Sequence, residues 1–471
     1  MEKTKIILQN KSHPVWVFIQ QFAVRGLLGI KFLLIARLLE PKEIGIISIA
    51  LISLTLAEAL TEIGIMQAVV QSKNKIDHHY VIWTLQCSRG FFITLVLLVC
   101  NSFLVNLFGE PEARNILILV AFVPLVKNLM SAKYYSEIRV KNFRAISIVF
   151  GLSSIIDLTM SLVLVSMFKD PIFAILSLLV AELIKSILTH VIFGWTIKFD
   201  FRFYLIKDIM AYGRWIWGNS ISSFVVNQFD KIVASTFLGT KLLGLYQMSQ
   251  KMTQLAVADI SFAAGQYLFP QFSSIYRANG NSKELKKYYS DMMLLMFSFA
   301  FMLSGFVIIY AEQVINIVFG DGWEEMLNLI QFMMIGSSLA AIMNISVVYN
   351  RAIGKPKKVT LVSYVQLGIF VISCLILVRF LSAFGLVISS IFSYIVGLML
   401  LNMSFKNKFA YIYKTLRSNL SLIVFVTIII CLMLALKESI LPNWSFAISI
   451  ALFFIGLLVM GLKFKKLGDT K

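Results

Sequence analysis

Residues 39–46 read Leu39-Glu-Pro-Lys-Glu-Ile-Gly45-Ile46, and 199 residues later the chain reads Leu238-Gly-Thr-Lys-Leu-Leu-Gly244-Leu245. Each stretch follows a long apolar segment that opens one half of the chain. A second echo, 211 residues apart, sets Phe108-Gly109-Glu110 over Phe319-Gly320-Asp321. Short apolar matches arise by chance. Two matches at corresponding places in two halves point instead to an internal repeat of six apolar segments.

About 20 apolar residues make one transmembrane helix. Fourteen segments qualify, at 15–37, 44–68, 80–107, 115–133, 146–168, 171–195, 212–237, 243–270, 288–310, 326–350, 359–379, 384–404, 419–437 and 443–463. Six is even, so two six-span halves share one orientation, as in transporters whose parallel lobes rock about a central site. The expected organisation is a first lobe at 1–195, a connection at 196–211, a second lobe at 212–405 and two further spans with a basic tail at 406–471. The connection, TIKFDFRFYLIKDIMA, is basic and aromatic and also reads as an interfacial amphipathic helix.

Composition agrees with an all-α polytopic membrane protein. The chain has 471 residues, 59% of them hydrophobic and only 14% charged, with a mean hydropathy of +0.83. The net charge of +19 does not indicate nucleic acid, because the basic residues are spread over loops. One alternating set of loops holds about 27 Lys and Arg against about seven in the other, which places both termini in the cytoplasm by the positive-inside rule. The basic set includes SKELKK at 282–287 and GKPKK at 354–358; the other includes the acidic FGEPEAR at 108–114 and FGDGWEE at 319–325. No loop is long enough for a soluble catalytic domain, and GKPKK lacks the glycine and hydroxyl spacing of a phosphate-binding P-loop. The basic start reads as leading into a retained first span, without a cleavage site. Four dispersed cysteines read as inert buried thiols. Neither a metal nor a cofactor is expected, and the chain is not expected to be an enzyme.

Fourteen charged residues fall inside the ends of the first eight segments and none in the cores of the last six. A charge at the membrane centre costs roughly 2.5–3.5 kcal/mol, so these residues must pair, hydrate or enclose a polar interior. Eight are basic and six acidic. Glu58 and Glu62, four apart, are expected to share a helix face; two close carboxylates raise one pKa and can hold an exchangeable proton. The plainer reading makes them counter-ions for Arg25 and Lys31. Glu182 and Lys185, three apart, are expected to neutralise each other. Asn219, Ser222, Ser223, Asn227 and Asp230 form a polar stripe suited to sugar hydroxyls, or equally to bonds between helices.

The same residues carry a family resemblance. ARLLEPKEIG at 36–45, EIGIMQAVVQSKN at 62–74, YGRWIWGN at 212–219, NQFDKIVASTFLGTKLLGLY at 227–246, FPQFSSIY at 269–276 and FGDGW at 319–323 resemble the bacterial polysaccharide-unit flippases of Wzx type. These belong to the multidrug/oligosaccharidyl-lipid/polysaccharide exporter superfamily, and the teichuronic-acid and colanic-acid exporter branch is the most similar. The resemblance implies two six-helix lobes in a V. It also implies outward movement of undecaprenyl-pyrophosphate-linked oligosaccharides across the inner (cytoplasmic) membrane, coupled to an ion gradient. The lipid-linked oligosaccharide and membrane lipid are then the partners, with a polysaccharide polymerase and export machinery beside them.

The resemblance further implies that arginines of the first lobe meet the pyrophosphate, a group that a guanidinium grips bidentately. Arg25 and Arg89 are the candidates by placement, against the alternative that they pair structurally with Glu58, Glu62 or Asp157. Asn219, Ser223, Asn227 and Asp230 are candidates for the sugar-facing wall, and Glu58, Glu62 and Asp157 for ion coupling. The competing function is a multidrug or cation antiporter on the same fold.

Overall fold

A computed structural model of the chain describes residue 16 and residues 19–20, 22–66, 69, 78–280, 282–403, 420–439 and 442–469; some side chains within these, Asn219 and Ser222 among them, lie outside the description. Every regular element among the described residues is helical. Among the described residues, nine helices are long and apolar enough to cross a membrane, or up to ten if a bent pair at Ala113–Asn128 and Lys133–Arg139 forms one span. Of the other expected spans, the seventh and thirteenth lie in unbroken helices and the first and eighth are interrupted. A π-helical turn at Phe22–Gly26 precedes α1 (Leu27–Ala36), and a second, Gln254–Ala258, divides the expected eighth span.

Contacts divide the chain into two compact units, Met1–Gln247 and Met248–Lys471. The first contains α1, α2 (Pro41–Leu60), α3 (His79–Val99), α4 (Asn101–Phe108), α5 (Ala113–Ala121), α6 (Val123–Asn128), α7 (Lys133–Arg139), α8 (Phe143–Phe168), α9 (Ile172–Phe193) and α10 (Lys207–Leu238). The helix α11 (Thr240–Thr253) begins in it. Both copies of the quoted motif therefore start inside this unit: Pro41 opens α2, and Thr240, its counterpart, opens α11. Glu40 and Glu43 cap α2 reciprocally, with the Glu40 amide donating to Glu43 Oε2 at 2.8 Å.

The two motifs touch each other. A Cβ on Gly45 would lie 2.0 Å from the Thr240 carbonyl oxygen, and one on Gly244 would lie 1.8 Å from that of Pro41. Each glycine thus meets the residue that corresponds to the one its counterpart meets. The contact has the reciprocity of a two-fold axis and admits no side chain on either helix. The second echo is also repeated structurally: α4 ends at Phe108 and Gly109 (φ +65°), while Gly320 (φ +83°) follows Phe319 and a short helix at Ala311–Val318.

Behind α2, three helices carry a buried ion pair. Lys31 of α1 donates to Asp157 of α8 at 2.6 Å and to the Ala174 carbonyl and Ser177 hydroxyl of α9, both at 3.2 Å. All three ammonium hydrogens are used. Glu182 and Lys185 pair on α9 as expected.

The expected connection is extended rather than helical over 194–202, with Trp195, Ile197, Phe199 and Phe201 exposed. Alternation at every second residue is the period of an extended chain, so aromatics and charges segregate without a helix. Thr84 anchors the segment through the Asp200 amide at 2.8 Å. Hydrogen bonds from Arg202 hold the Asp200 carboxyl down at about 2.

The second unit contains α12 (Asp259–Asn279), α13 (Lys283–Ile309), α14 (Ala311–Val318), α15 (Met326–Ala352), α16 (Pro356–Leu381), α17 (Ala383–Asn402), α18 (Leu420–Ser439) and α19 (Pro442–Asp469). Tyr289 and Tyr349 stack in its core with Phe272 edge-on to both, and the Tyr289 hydroxyl bonds Ser346 and Asn402. The helices α18 and α19 pack on α13 through Met302, Met433 and Met460. The thiols of Cys87 and Cys374 are buried, whereas Cys431 is exposed on α18.

Candidate functional site

The site is built where α2 ends. Apolar residues continue to Met66, yet the helix stops at Leu60, and Gly64 takes a left-handed conformation at φ +62°. A helix end leaves carbonyls without partners. Arg89 Nη2 donates to the Glu58 carbonyl at 3.0 Å, and Trp217 Nε1 donates to that of Leu60 at 2.7 Å. A cation at a helix C-terminus is also favoured by the macrodipole.

This break corrects the expectation for the two glutamates. Glu58 lies on the last turn of α2, but Glu62 lies beyond it, so they do not share a helix face. Glu62 folds back, accepting the Gly64 amide at 2.8 Å through Oε1 and Arg89 Nη2 at 3.0 Å through Oε2. Glu58 Oε1 accepts Lys127 Nζ at 2.8 Å.

The cations come from α3 and α6, which approach closely because Gly90 has no side chain. A Cβ there would lie 2.8 Å from both Asn128 Cβ and the Pro124 carbonyl. Trp83 Nε1 donates to the Leu129 carbonyl at 3.1 Å and Thr94 to that of Ala121 at 2.7 Å, fixing the register. Arg89 and Lys127 are thereby held at one level. Gly90→Val should cost about 1–3 kcal/mol by overpacking and draw Lys127 away from Glu58. Thermal unfolding of the solubilised protein checks the first effect, and transport by the surviving fraction checks the second.

A cavity of about 290 Å³ opens between α2 and α10. Thr55, Glu58 and Glu62 line one side; Ser220, Ser223, Asn227 and Gln228 line the other. Of the sequence candidates, Glu58, Glu62, Ser223 and Asn227 therefore meet, with Arg89 attached through Glu62. Arg25, exposed on its π-helical turn, is not among the lining residues. Asp157 is occupied by Lys31. Asp230 is buried and accepts the Tyr246 hydroxyl at 2.8 Å. The side chain of Asn219 lies outside the described residues. Sequence reasoning did not select Lys127, Gln228 or Thr55. The signal for Lys127 was its charge inside an apolar stretch, but a single sequence does not say which carboxylate faces it.

The arrangement offers hydroxyls and amides to one side of a ligand, and two carboxylates backed by two cations to the other. A family model described as polysaccharide biosynthesis protein matches residues 34–328. The lipopolysaccharide biosynthesis protein WzxC of Escherichia coli K12 is 18% identical over 347 residues, covering 71% of this chain and 68% of that protein. The teichuronic acid biosynthesis protein TuaB of Bacillus subtilis 168 is 20% identical over 346 residues, covering 72% and 70%. Among solved structures, the lipid II flippase MurJ in an inward closed conformation superposes with a TM-score of 0.71 at 14% identity, over 96% of this chain and 99% of that one.

Proposed function

The chain belongs to the polysaccharide biosynthesis protein family, and from that membership we propose that it moves undecaprenyl-pyrophosphate-linked oligosaccharide repeat units from the cytoplasmic to the outer leaflet of the bacterial inner membrane. The units supply cell-surface polysaccharide such as O-antigen, capsule or exopolysaccharide, and a polymerase and export machinery take them onward. The observation that carries this reading is the cavity between α2 and α10, where Ser220, Ser223, Asn227 and Gln228 face Glu58 and Glu62. Hydroxyls and amides orient a sugar without reacting with it, so the headgroup crosses with no covalent bond changed.

In this reading two lobes, 1–195 and 212–405, rock about the cavity while the polyprenyl tail stays in lipid. Both termini are cytoplasmic. The Lys and Arg bias of the loops and the repeated Phe-Gly turns support that arrangement. Coupling to an ion gradient runs through Glu58 and Glu62, the two candidate carboxylates that line the cavity; Asp157 is the third carboxylate in reach of such a role. The antiporter alternative draws on the same two glutamates. Lys127 and Arg89 pair with both glutamates and bring to this wall the positive charge that an anionic headgroup requires, so the flippase reading has precedence.

Expression in a bacterium lacking its own repeat-unit flippase tests the proposal. Surface polysaccharide should return and lipid-linked units should stop accumulating on the cytoplasmic leaflet. Continued accumulation with the protein inserted in the membrane counts against it. Arg25→Ala should insert normally and restore no polysaccharide; full restoration would reduce Arg25 to a structural counter-ion.

A further inference from the structure

The two cations behind the cavity wall use only part of their hydrogen-bonding capacity. Arg89 commits Nε to Thr61 and Nη2 to Glu62 and the Glu58 carbonyl, leaving Nη1 with no protein acceptor among the described residues. Lys127 donates once, to Glu58, and its side chain is 44% exposed. An ammonium has three donors and a guanidinium five, so several N–H groups remain open to a ligand. The guanidinium and the ammonium repel each other, and the Glu182 carboxylate attracts Lys127. The carboxylate charge facing them is one oxygen each from Glu62 and Glu58. Both pairs are part-buried and each is made through a single carboxylate oxygen.

We propose that Glu62 and Glu58 act as internal anions: they occupy Arg89 and Lys127 in the empty cavity, and the diphosphate of the substrate displaces them from those two cations. The inference rests on the flippase reading and adds how the cavity chooses its ligand. The exchange makes and breaks only ion pairs and hydrogen bonds. A diphosphate carries more charge than either carboxylate and presents several oxygens to a guanidinium fork. A monophosphate gains little over the glutamates it must replace, and an uncharged glycan gains nothing. The glutamates thereby set a threshold of charge for entry, and they keep the cavity neutral when it is empty.

The test uses the purified full-length protein in detergent, titrated calorimetrically with inorganic pyrophosphate and, separately, inorganic phosphate. Glu58→Gln with Glu62→Gln removes the competing charges and should tighten pyrophosphate binding about tenfold, with the preference over phosphate reduced. Lys127→Gln should abolish binding, and Lys127→Arg should restore it. Unchanged or weaker pyrophosphate binding in a double glutamine variant that melts like the wild type overturns the exchange. If that variant is unfolded, Glu58→Gln alone and Lys127→Gln decide by the same criteria. Failure of the exchange and failure of the flippase reading are distinguishable. A protein that flips lipid-linked oligosaccharide in vesicles but whose pyrophosphate affinity ignores Glu58 and Glu62 contradicts the exchange only. One that answers to the glutamine variants but moves no lipid-linked oligosaccharide contradicts the flippase reading only.

Discussion

Gly45→Val and Gly244→Val should each destabilise the solubilised protein by about 3 kcal/mol, at the upper end of overpacking costs. The two together should cost less than the sum. Each added Cβ falls about 2 Å or less from a backbone carbonyl oxygen, of Thr240 and of Pro41 respectively. Backbone inside a helix cannot turn aside as a side chain can, so α2 and α11 must separate. Once one valine has forced them apart, the second enters space already opened, and contacting sites of this kind couple by roughly 0.5–3 kcal/mol. Melting curves of the two single variants and the double variant check the prediction. Strict additivity would mean that the two glycines do not share one contact. The same separation should impair transport, because this reciprocal packing fixes the start of α2, whose far end carries Glu58.

The motif was legible in the sequence as a repeat, but the contact between its two copies was not. Gly45 and Gly244 were aligned as counterparts, and the fold sets them against each other with Pro41 and Thr240 exchanged. The echo of Phe108-Gly109 in Phe319-Gly320 was likewise legible, since a positive φ restricts the residue at that turn. The end of α2 was not legible. Hydropathy records apolarity, and Ile63, Ile65 and Met66 keep the pattern running past a break that backbone conformation imposes at Thr61–Gly64. Glu62 consequently left the helix face assigned to it and became available to Arg89. Pairings such as Lys31 with Asp157 and Lys127 with Glu58 join residues far apart in the chain, and one sequence lists charges without saying which of them meet. The connection at 196–211 was read by composition, which sees aromatic and basic residues but not whether they alternate along a helix or an extended chain.

Asp157→Ala should cost about 3–5 kcal/mol, the usual penalty when one partner of a buried ion pair is removed. Lys31 is buried, and its ammonium loses the only carboxylate among its three hydrogen-bonding partners. Removing both charges with Lys31→Met and Asp157→Leu should recover most of that loss, because well-packed apolar residues replace buried pairs at little net cost. Asp157→Asn should fall between, keeping the bond to Lys31 without the charge. A double-mutant cycle by thermal unfolding checks the order. The apolar double variant also separates two roles for Asp157. Retained transport identifies a structural pair that joins α1, α8 and α9; lost transport in a stable protein identifies a carboxylate that carries the coupling ion.

Reconstitution addresses the central claim most directly. The purified protein is placed in vesicles carrying a fluorescent undecaprenyl-pyrophosphate-linked oligosaccharide on one leaflet, and its appearance on the opposite leaflet is measured by a membrane-impermeant quencher. Parallel vesicles are loaded with a cationic dye. The account predicts leaflet exchange of the lipid-linked oligosaccharide that is faster than in protein-free vesicles and lost with Lys127→Gln, and no gradient-driven dye efflux. Dye efflux without movement of the lipid-linked oligosaccharide would contradict it.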